Sequence, residues 1–461
     1  MRILILGAGI VGTTLADQLS KEKNDIYVIE QDPLLIKEMN DSLDIFAMQG
    51  SASSQDSLEK VGAQDMDLVI AVTSRDEVNI LGCLLASKMG VPTLISRVRN
   101  PEYAAEHSLL NKDNSNIEFI NPTNIVVQSI ERLIEVPGCT DVAYIGDDAG
   151  IQIRGFELTE SSRICGQTIL QLRDVLASDA FAILAVTRES KTFIPKNEEV
   201  LEPGDKILAL LSSQTLQMIL PMITTRIHQT NKVIIFGSSR ASIDLALVLE
   251  GKYQQVLLIE PDDAKCQELA KRLQKTLIVQ GSGLEKGTLL EVGIETADVF
   301  VSLSERDEDN FMAALMARQY GAKRTMVLTE KPTYLEVLGN SDIDILINPR
   351  LITVSKILQF LRRGKVTSAA KLNQGDAEVL EYFIEDTSPL VGKTPRKLAE
   401  KKLLPKSARL AAIKGADGLV MVPDGDTVIE SGQSVVVFTL PRGLEKVQDL
   451  FSGKKWSFFK G

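Results

Sequence analysis

Histidine is nearly missing. The 461 residues include two, His107 and His228, with no carboxylate or cysteine at ligand spacing beside either. Histidine metal sites and histidine-dependent nucleophilic triads are therefore not expected. The four cysteines (Cys83, Cys139, Cys165 and Cys266) are scattered and form no CxxC. That is the usage of a reduced, cytosolic protein. No stretch of about 18 residues stays apolar, so no membrane span is expected. The longest apolar run, Ile3–Gly12, is broken by glycines. Arg2 ahead of it imitates a signal peptide, but no small-residue cleavage site follows, and Asp17 and Lys21 come soon. Basic residues are outnumbered, 51 against 62 acidic, for a net charge of −11. Such a balance opposes broad nucleic-acid binding. With 44% of residues hydrophobic, disorder is excluded as the main state.

What is present is a duplication. Arg2–Leu6 reads as a strand, Gly7-Ala-Gly-Ile-Val-Gly12 follows it, and a helical run reaches about Lys21. A second strand, Ile26–Glu30, ends in an acid. Some 230 residues on, Lys232–Phe236 leads into Gly237-Ser-Ser-Arg-Ala-Ser242, and Val256–Glu260 ends in an acid again. Gln49-Gly50-Ser51 answers Gln280-Gly281-Ser282, and Thr73-Ser-Arg-Asp-Glu-Val-Asn79 answers Ser304-Glu-Arg-Asp-Glu-Asp-Asn310. Asn121-Pro122 answers Asn348-Pro349. The period far exceeds solenoid repeats of about 20–50 residues, so a whole module is copied.

Each copy divides in two. Residues 1–125 alternate strands (near 2–6, 26–30, 44–49, 67–72, 91–97 and 117–120) with amphipathic helices. This pattern predicts an α/β fold, a Rossmann-like parallel sheet covered on both faces. A helix over Ile125–Val136 closes it, and residues 140–226 read as a small α+β lobe with strands 151–158, 181–187 and 206–211 around a helix at 167–176. The second copy gives a sheet domain at 231–350, a helix at 351–362 and a lobe at 367–452. No low-complexity linker separates the parts, so tight packing is expected.

Gly7, Gly9 and Gly12 follow a strand and open a helix, and Glu30 ends the next strand. Together they form the dinucleotide fingerprint. Gly7 permits the tight turn, Gly9 admits a pyrophosphate to the helix N-terminus, and Gly12 allows close packing. Ala8, Ile10 and Val11 complete that turn. Glu30 suits a ribose diol, and its charge opposes a 2′-phosphate. Thr73 and Ser74 end the fourth strand, while Arg97 and Arg99 lie at the end of the fifth, where ligands of such sheets bind. Arg97 and Arg99 alternate to one side and suit a phosphate; the competing reading is surface ion pairs with Glu102 or Glu106. His107 reads as an exposed helix residue, and Cys83 as core. In the second copy Ser239 and Ser242 replace two glycines, and Leu328 and Glu330 stand where the arginines stood. Gly237, Ser239, Arg240 and Glu260 form a second, decayed candidate set that holds a weaker ligand, a different one, or none. Arg240 and Lys331 are the candidates to replace the lost arginines.

These residues resemble a known family. Arg2–Gly12, Ala71–Asn79 and Arg97-Val-Arg-Asn-Pro-Glu-Tyr103 look like the regulator-of-potassium-conductance (RCK, or KTN) domain. The tandem order of nucleotide domain and small lobe extends the resemblance over essentially the whole chain. It implies a non-catalytic regulatory subunit, peripheral on the inner face of the cell membrane. There it gates an integral-membrane potassium channel or transporter subunit of the Trk type. It also implies binding of NAD(H) and, in several members, ATP or ADP. The nucleotide positions carry over to Gly7–Val11, Glu30, Thr73-Ser74 and one or both of Arg97 and Arg99. A two-copy chain suggests a homotetramer. Rival readings are an NAD-dependent oxidoreductase and a regulator of a potassium efflux antiporter. The basic, aromatic tail Lys454–Lys460 reads either as a channel or lipid contact or as a solvated end.

Overall fold

The computed structural model describes residues 1–21, 24–104, 116–145, 151–176, 181–189, 191–224, 230–331, 333–334, 341–362, 368–372, 377–415 and 417–451. His107, His228, Glu106 and the tail 454–460 lie outside them. The chain forms two compact units, Met1–Ile130 with Asn231–Ile357, and Glu131–Thr230 with Leu358–Gly461.

The first unit holds two sheets of one design. In the first copy β1 (Arg2–Leu6), α1 (Ile10–Ser20), β2 (Asp25–Glu30), α2 (Pro33–Ser42), β3 (Phe46–Gln49), α3 (Gln55–Lys60), β4 (Leu68–Ala71), α4 (Asp76–Lys88), β5 (Thr93–Arg97), α5 (Pro101–Ala104) and β6 (Ile117–Ile120) alternate. The strands are all parallel, in the order β3-β2-β1-β4-β5-β6. Central β4 is buried along its whole length, because helices cover both faces and leave no side of it to water. The sheet order therefore reverses at β1, and a crevice opens beyond the carboxyl ends of β1 and β4.

α6 (Pro122–Glu135) starts three residues before the expected Ile125. Asn121 caps it, its Oδ1 accepting the Asn124 N–H at 3.1 Å. Pro122 takes the first helical position, where a missing N–H costs nothing.

The second copy repeats the pattern. It runs β12 (Lys232–Phe236), α9 (Arg240–Leu249), β13 (Gln255–Glu260), α10 (Asp263–Arg272), β14 (Leu277–Gln280), α11 (Lys286–Glu291), β15 (Val299–Ser302), α12 (Asp307–Gln319), β16 (Thr325–Leu328), β17 (Ile345–Ile347) and α13 (Pro349–Arg362). Its sheet order, β14-β13-β12-β15-β16-β17, is that of the first.

The second unit holds both lobes. The first comprises β7 (Cys139–Ile145), β8 (Ile151–Glu157), α7 (Ile169–Leu176), β9 (Phe181–Arg188), β10 (Lys191–Phe193), β11 (Lys206–Ser212) and α8 (Ser213–Ile223). The second comprises β18 (Ser368–Leu372), β19 (Ala377–Phe383), α14 (Pro395–Glu400), β20 (Ala408–Lys414), β21 (Val420–Met421), β22 (Ser434–Thr439) and α15 (Leu444–Phe451). Both sheets are antiparallel. Each places the last strand between the second and third, so the duplication reaches the lobes too. The lobes share one core: Ile153, Leu184, Leu208 and Leu210 from the first pack with Val379, Val436 and Phe438 from the second. Each such side chain contributes about 1.5–3 kcal/mol on burial.

Candidate functional site

The turn after β1 dictates its own glycines. Gly7 has φ +102°, and a Cβ there would lie 2.9 Å from Thr73 Cγ2. A Cβ on Gly12 would lie 1.9 Å from the Gly7 carbonyl oxygen. Close packing at Gly12 is thus against the turn itself, with the β1 residue Ile5 next at 3.5 Å. Gly9 differs: nothing lies within 4 Å of its Cβ position, and its φ of −66° suits any residue. Gly9 caps α1 with no side-chain hydrogen bond. Its bare backbone leaves the positive end of the helix open to an anion. Ala8 and Val11 are buried, whereas Ile10 is exposed, so this turn presents backbone rather than side chains.

Glu30 ends β2 beside the turn. One carboxylate oxygen accepts the Ala8 N–H at 2.6 Å, and the other accepts Gln31 N–H at 2.6 Å and Asp32 N–H at 3.1 Å. A diol can donate to that oxygen beside the Ala8 N–H, since a carboxylate takes several hydrogen bonds at once.

Two residues of the repeated motif, whose roles the spacing does not reveal, hold the far side. Asn79 Oδ1 accepts the Thr73 N–H at 2.9 Å and its hydroxyl at 2.7 Å, and Asn79 Nδ2 donates to the Arg97 carbonyl at 2.9 Å. Asn79 thereby ties the end of β4 to the end of β5. Asp76 Oδ2 accepts the N–H groups of Arg99 and Asn100, both at 2.8 Å. The Thr73 hydroxyl is consequently committed inside the protein, and only its exposed neighbour Ser74 offers a hydroxyl to a ligand.

Arg97 ends β5 and Arg99 lies two residues on, with the fully buried Val98 between them. The competing reading set these arginines against Glu102 or Glu106; Glu106 lies outside the described residues, and Arg97 Nε is buried without a hydrogen-bond partner among those described. Burial pushes the Arg97 guanidinium down to about 10; Arg99 and Arg350 add to the shift, and Glu330 and Asp76 oppose it. A half-buried guanidinium with an idle donor is what a phosphate would satisfy.

The second copy closes what the first leaves open. Gly237 keeps the strained turn, at φ +99°. Ser239 caps α9 with its own side chain, accepting the Ser242 N–H at 3.3 Å. The Ser242 hydroxyl donates to Leu303 O at 3.2 Å, so a side chain fits where the first copy excludes one. Glu260 is 4% exposed and its carboxylate accepts the Asp262 N–H at 3.0 Å. Arg240 pairs with Asp244 on its own helix at 2.8 Å. Lys331 pairs with Glu308 at 2.7 Å, a hydrogen bond that pulls the Glu308 carboxylate down to about 2. Neither candidate replacement for the lost arginines is idle.

Among the described residues, no group of three or more His, Cys, Asp and Glu is placed to hold a metal ion, and no helix is long and apolar enough to cross a membrane.

Comparison with known proteins follows the duplication. Residues 3–114 and 233–349 match the TrkA-N domain, and residues 153–241 and 379–452 match the TrkA-C domain. The chain is 33% identical over 458 residues to the Trk system potassium uptake protein TrkA of Haemophilus influenzae, covering 98% of both chains. It is 30% identical over 452 residues to a TrkA homolog of Archaeoglobus fulgidus, covering 98% of this chain and 100% of that one. In three dimensions it is similar to the GsuK RCK domain, with a TM-score of 0.61 at 17% identity over 98% of this chain and 95% of that one. The GsuK channel bound to NAD gives the same TM-score and identity over 98% of this chain and 78% of that one. Two sheets of one strand order, two lobes of one topology and full-length matches in all four parts agree: the chain belongs to the TrkA family.

Proposed function

We propose that this chain is the nucleotide-sensing regulatory subunit of a Trk-type potassium-uptake system. It acts without catalysis, as a homotetramer on the inner face of the membrane, upon an integral-membrane channel or transporter subunit. The observation that carries this reading is the N-terminus of α1, free of any side-chain cap and flanked by Glu30 and by Arg97, whose buried Nε has no hydrogen-bond partner among the described residues. NAD(H) or an adenine nucleotide seats a phosphate on the Gly7–Val11 backbone and its ribose diol on Glu30. Arg97, Arg99 or both take the remaining phosphate charge, and Ser74 closes the crevice. The names of the full-length relatives supply the potassium system.

Nucleotide acts on the partner by shifting a balance between two arrangements of the subunits. It does so only to the extent that its contacts differ between them. Arg97 and Arg99 suit that task, because the loop bearing them is tied by Asp76 and Asn79 to the segment after β4. Calorimetry with NADH, NAD, ATP and ADP on the purified chain tests the site. Potassium flux through the reconstituted partner tests the gating. Saturable binding that changes flux supports the reading. NADH turnover with a small substrate would replace it by an oxidoreductase, and co-purification with an efflux antiporter would replace the partner.

A further inference from the structure

The second lobe concentrates positive charge that neither the nucleotide site nor the first lobe accounts for. Six cations (Lys393, Arg396, Lys397, Lys401, Lys402 and Lys406) and one acid, Glu400, lie between Lys393 and Lys406, in a chain whose net charge is −11. Gly166 and Gly392, both at positive φ, bring the two lobes into register, as do the core residues Leu172 and Leu398. On that register Leu170, Gln171, Val175 and Leu176 stand where Arg396, Lys397, Lys401 and Lys402 stand. The basic surface therefore belongs to one lobe only.

Packing gathers these charges on the outside of one core. Leu398, Leu403 and Leu404 turn inward against Val447 and Leu450 of α15, and Lys397, Lys401, Lys402 and Lys406 are left exposed. The Leu440 N–H donates to the Ser407 carbonyl at 2.8 Å, which holds the turn bearing the exposed Arg442 against the loop bearing Lys406. Arg396 is neutralised by Asp426 at 2.7 Å. The exposed acids of these elements are Glu400 and Glu445.

Lys402 supplies an independent observation. Its φ is +54°. It follows α14, its N–H donating to the Ala399 carbonyl and the Leu403 N–H to the Leu398 carbonyl, both at 2.9 Å. This is the left-handed turn that ends a helix, a place that glycine fits and a side chain strains. A lysine there costs stability, so its presence points to a use for the charge.

We propose that this face of the second lobe binds the anionic headgroups of a bilayer, with Lys397, Lys401, Lys402, Lys406 and Arg442 meeting the phosphates. The proposal rests on the reading of the chain as a subunit that works at a membrane. A chain of net charge −11 is repelled by an anionic surface as a whole. Salt screens that repulsion beyond about 8 Å, so the charge of the face in contact decides. Lysine suits the task, because a flexible stem with a compact charge can follow a shifting array of headgroups, whereas the planar arginine fork suits one fixed phosphate. Each lysine that reaches such a surface strengthens attachment by about five-fold.

The test is co-sedimentation of the full chain with vesicles of equal parts phosphatidylethanolamine and phosphatidylglycerol, beside vesicles of phosphatidylcholine alone. The wild type binds the first and not the second, and added salt releases it. Lys402→Gly removes charge and strain together, so it lowers partitioning by about five-fold while raising the midpoint of urea unfolding. Lys401→Gln with Lys406→Gln keeps the turn and lowers partitioning by about thirty-fold. Lys60→Gln, on α3 of the first unit, makes the same change in net charge as Lys402→Gly and leaves partitioning as it is. Equal binding to both kinds of vesicle, or undiminished binding by the double variant, overturns the proposal. A change in the oligomeric mass of the double variant without vesicles assigns the face to a second copy and overturns it too. Wild-type protein that gates its reconstituted partner yet ignores anionic vesicles sinks this proposal alone. Vesicle binding of the expected pattern by a chain that takes no nucleotide sinks the sensing reading and supports this one.

Discussion

Gly9→Ser separates ligand binding from stability, because its two effects have opposite signs. The substitution meets no steric obstacle: the Cβ position has no neighbour within 4 Å, and φ is −66°. The second copy already carries it, since Ser239 has φ −61° and ψ 163° at the same place. A serine at position 9 gains the cap that Ser239 makes, with its hydroxyl oxygen accepting the Gly12 N–H. Serine exceeds glycine at an N-cap by a few tenths of a kcal/mol, so the midpoint of urea unfolding should rise slightly. The same hydroxyl consumes a donor that a phosphate needs and occupies the space above the helix end. A hydrogen bond to a charged group is worth about 1.5–3 kcal/mol. Nucleotide affinity should therefore fall by about ten-fold or more at unchanged or improved stability. Calorimetry with NADH and ATP beside a urea titration measures both. Undiminished affinity in Gly9→Ser would refute the assignment of the α1 terminus as the phosphate seat, and reduced stability would refute the capping argument.

Other expectations follow from the same geometry. NADPH should bind more weakly than NADH because Glu30 repels the 2′-phosphate, and Glu30→Ala should narrow the gap; equal affinities in the wild type would exclude the role. In the first lobe both Asp205 oxygens hold Arg188, at 2.7 and 2.8 Å, and Asp205 is 1% exposed. Asp205→Ala should cost roughly 2–3 kcal/mol by chemical denaturation, less than a fully buried pair because Arg188 keeps Glu199 and Glu202. Cys83 is fully buried, which pushes its thiol up to about 12. Timed alkylation of native protein at pH 8 should accordingly label Cys165 and Cys266 well before Cys83, and early labelling of Cys83 would contradict the packing of α4 on β5.

Most of the fold was legible because parallel strands and their helices announce themselves locally. The fingerprint at Gly7–Gly12 with Glu30 is one βαβ unit, and its geometry follows from neighbours in sequence. Contacts that cross the chain were not legible. Asp76 and Asn79 stand out as repeated residues, yet Arg97, Arg99 and Asn100, which they hold, lie 18 to 24 positions away at and just past the end of β5. The helix after each sheet begins earlier than its apolar spacing predicts, at Pro122 and Pro349, because an asparagine cap followed by an N1 proline adds a turn that carries no hydrophobic periodicity. β7 escaped notice because a bulge between Cys139 and Asp141 breaks its alternation.

The shared core of the two lobes carries a consequence for how such a chain arose. A single copy would end in a lobe whose apolar face, Ile153, Leu184, Leu208 and Leu210 in the first half, faces water until a second lobe covers it. A half-chain of this design would cover that face by pairing with a second copy of itself, and in such a pair every substitution falls on both members at once. Joining the halves in one polypeptide kept the pairing and removed the symmetry. Ser239, Ser242 and Glu330 could then accumulate on one side while Gly9, Gly12 and Arg99 were retained on the other. Two halves in one polypeptide keep the pairing while each is free to change alone, so a partnership of equals can become a division of labour.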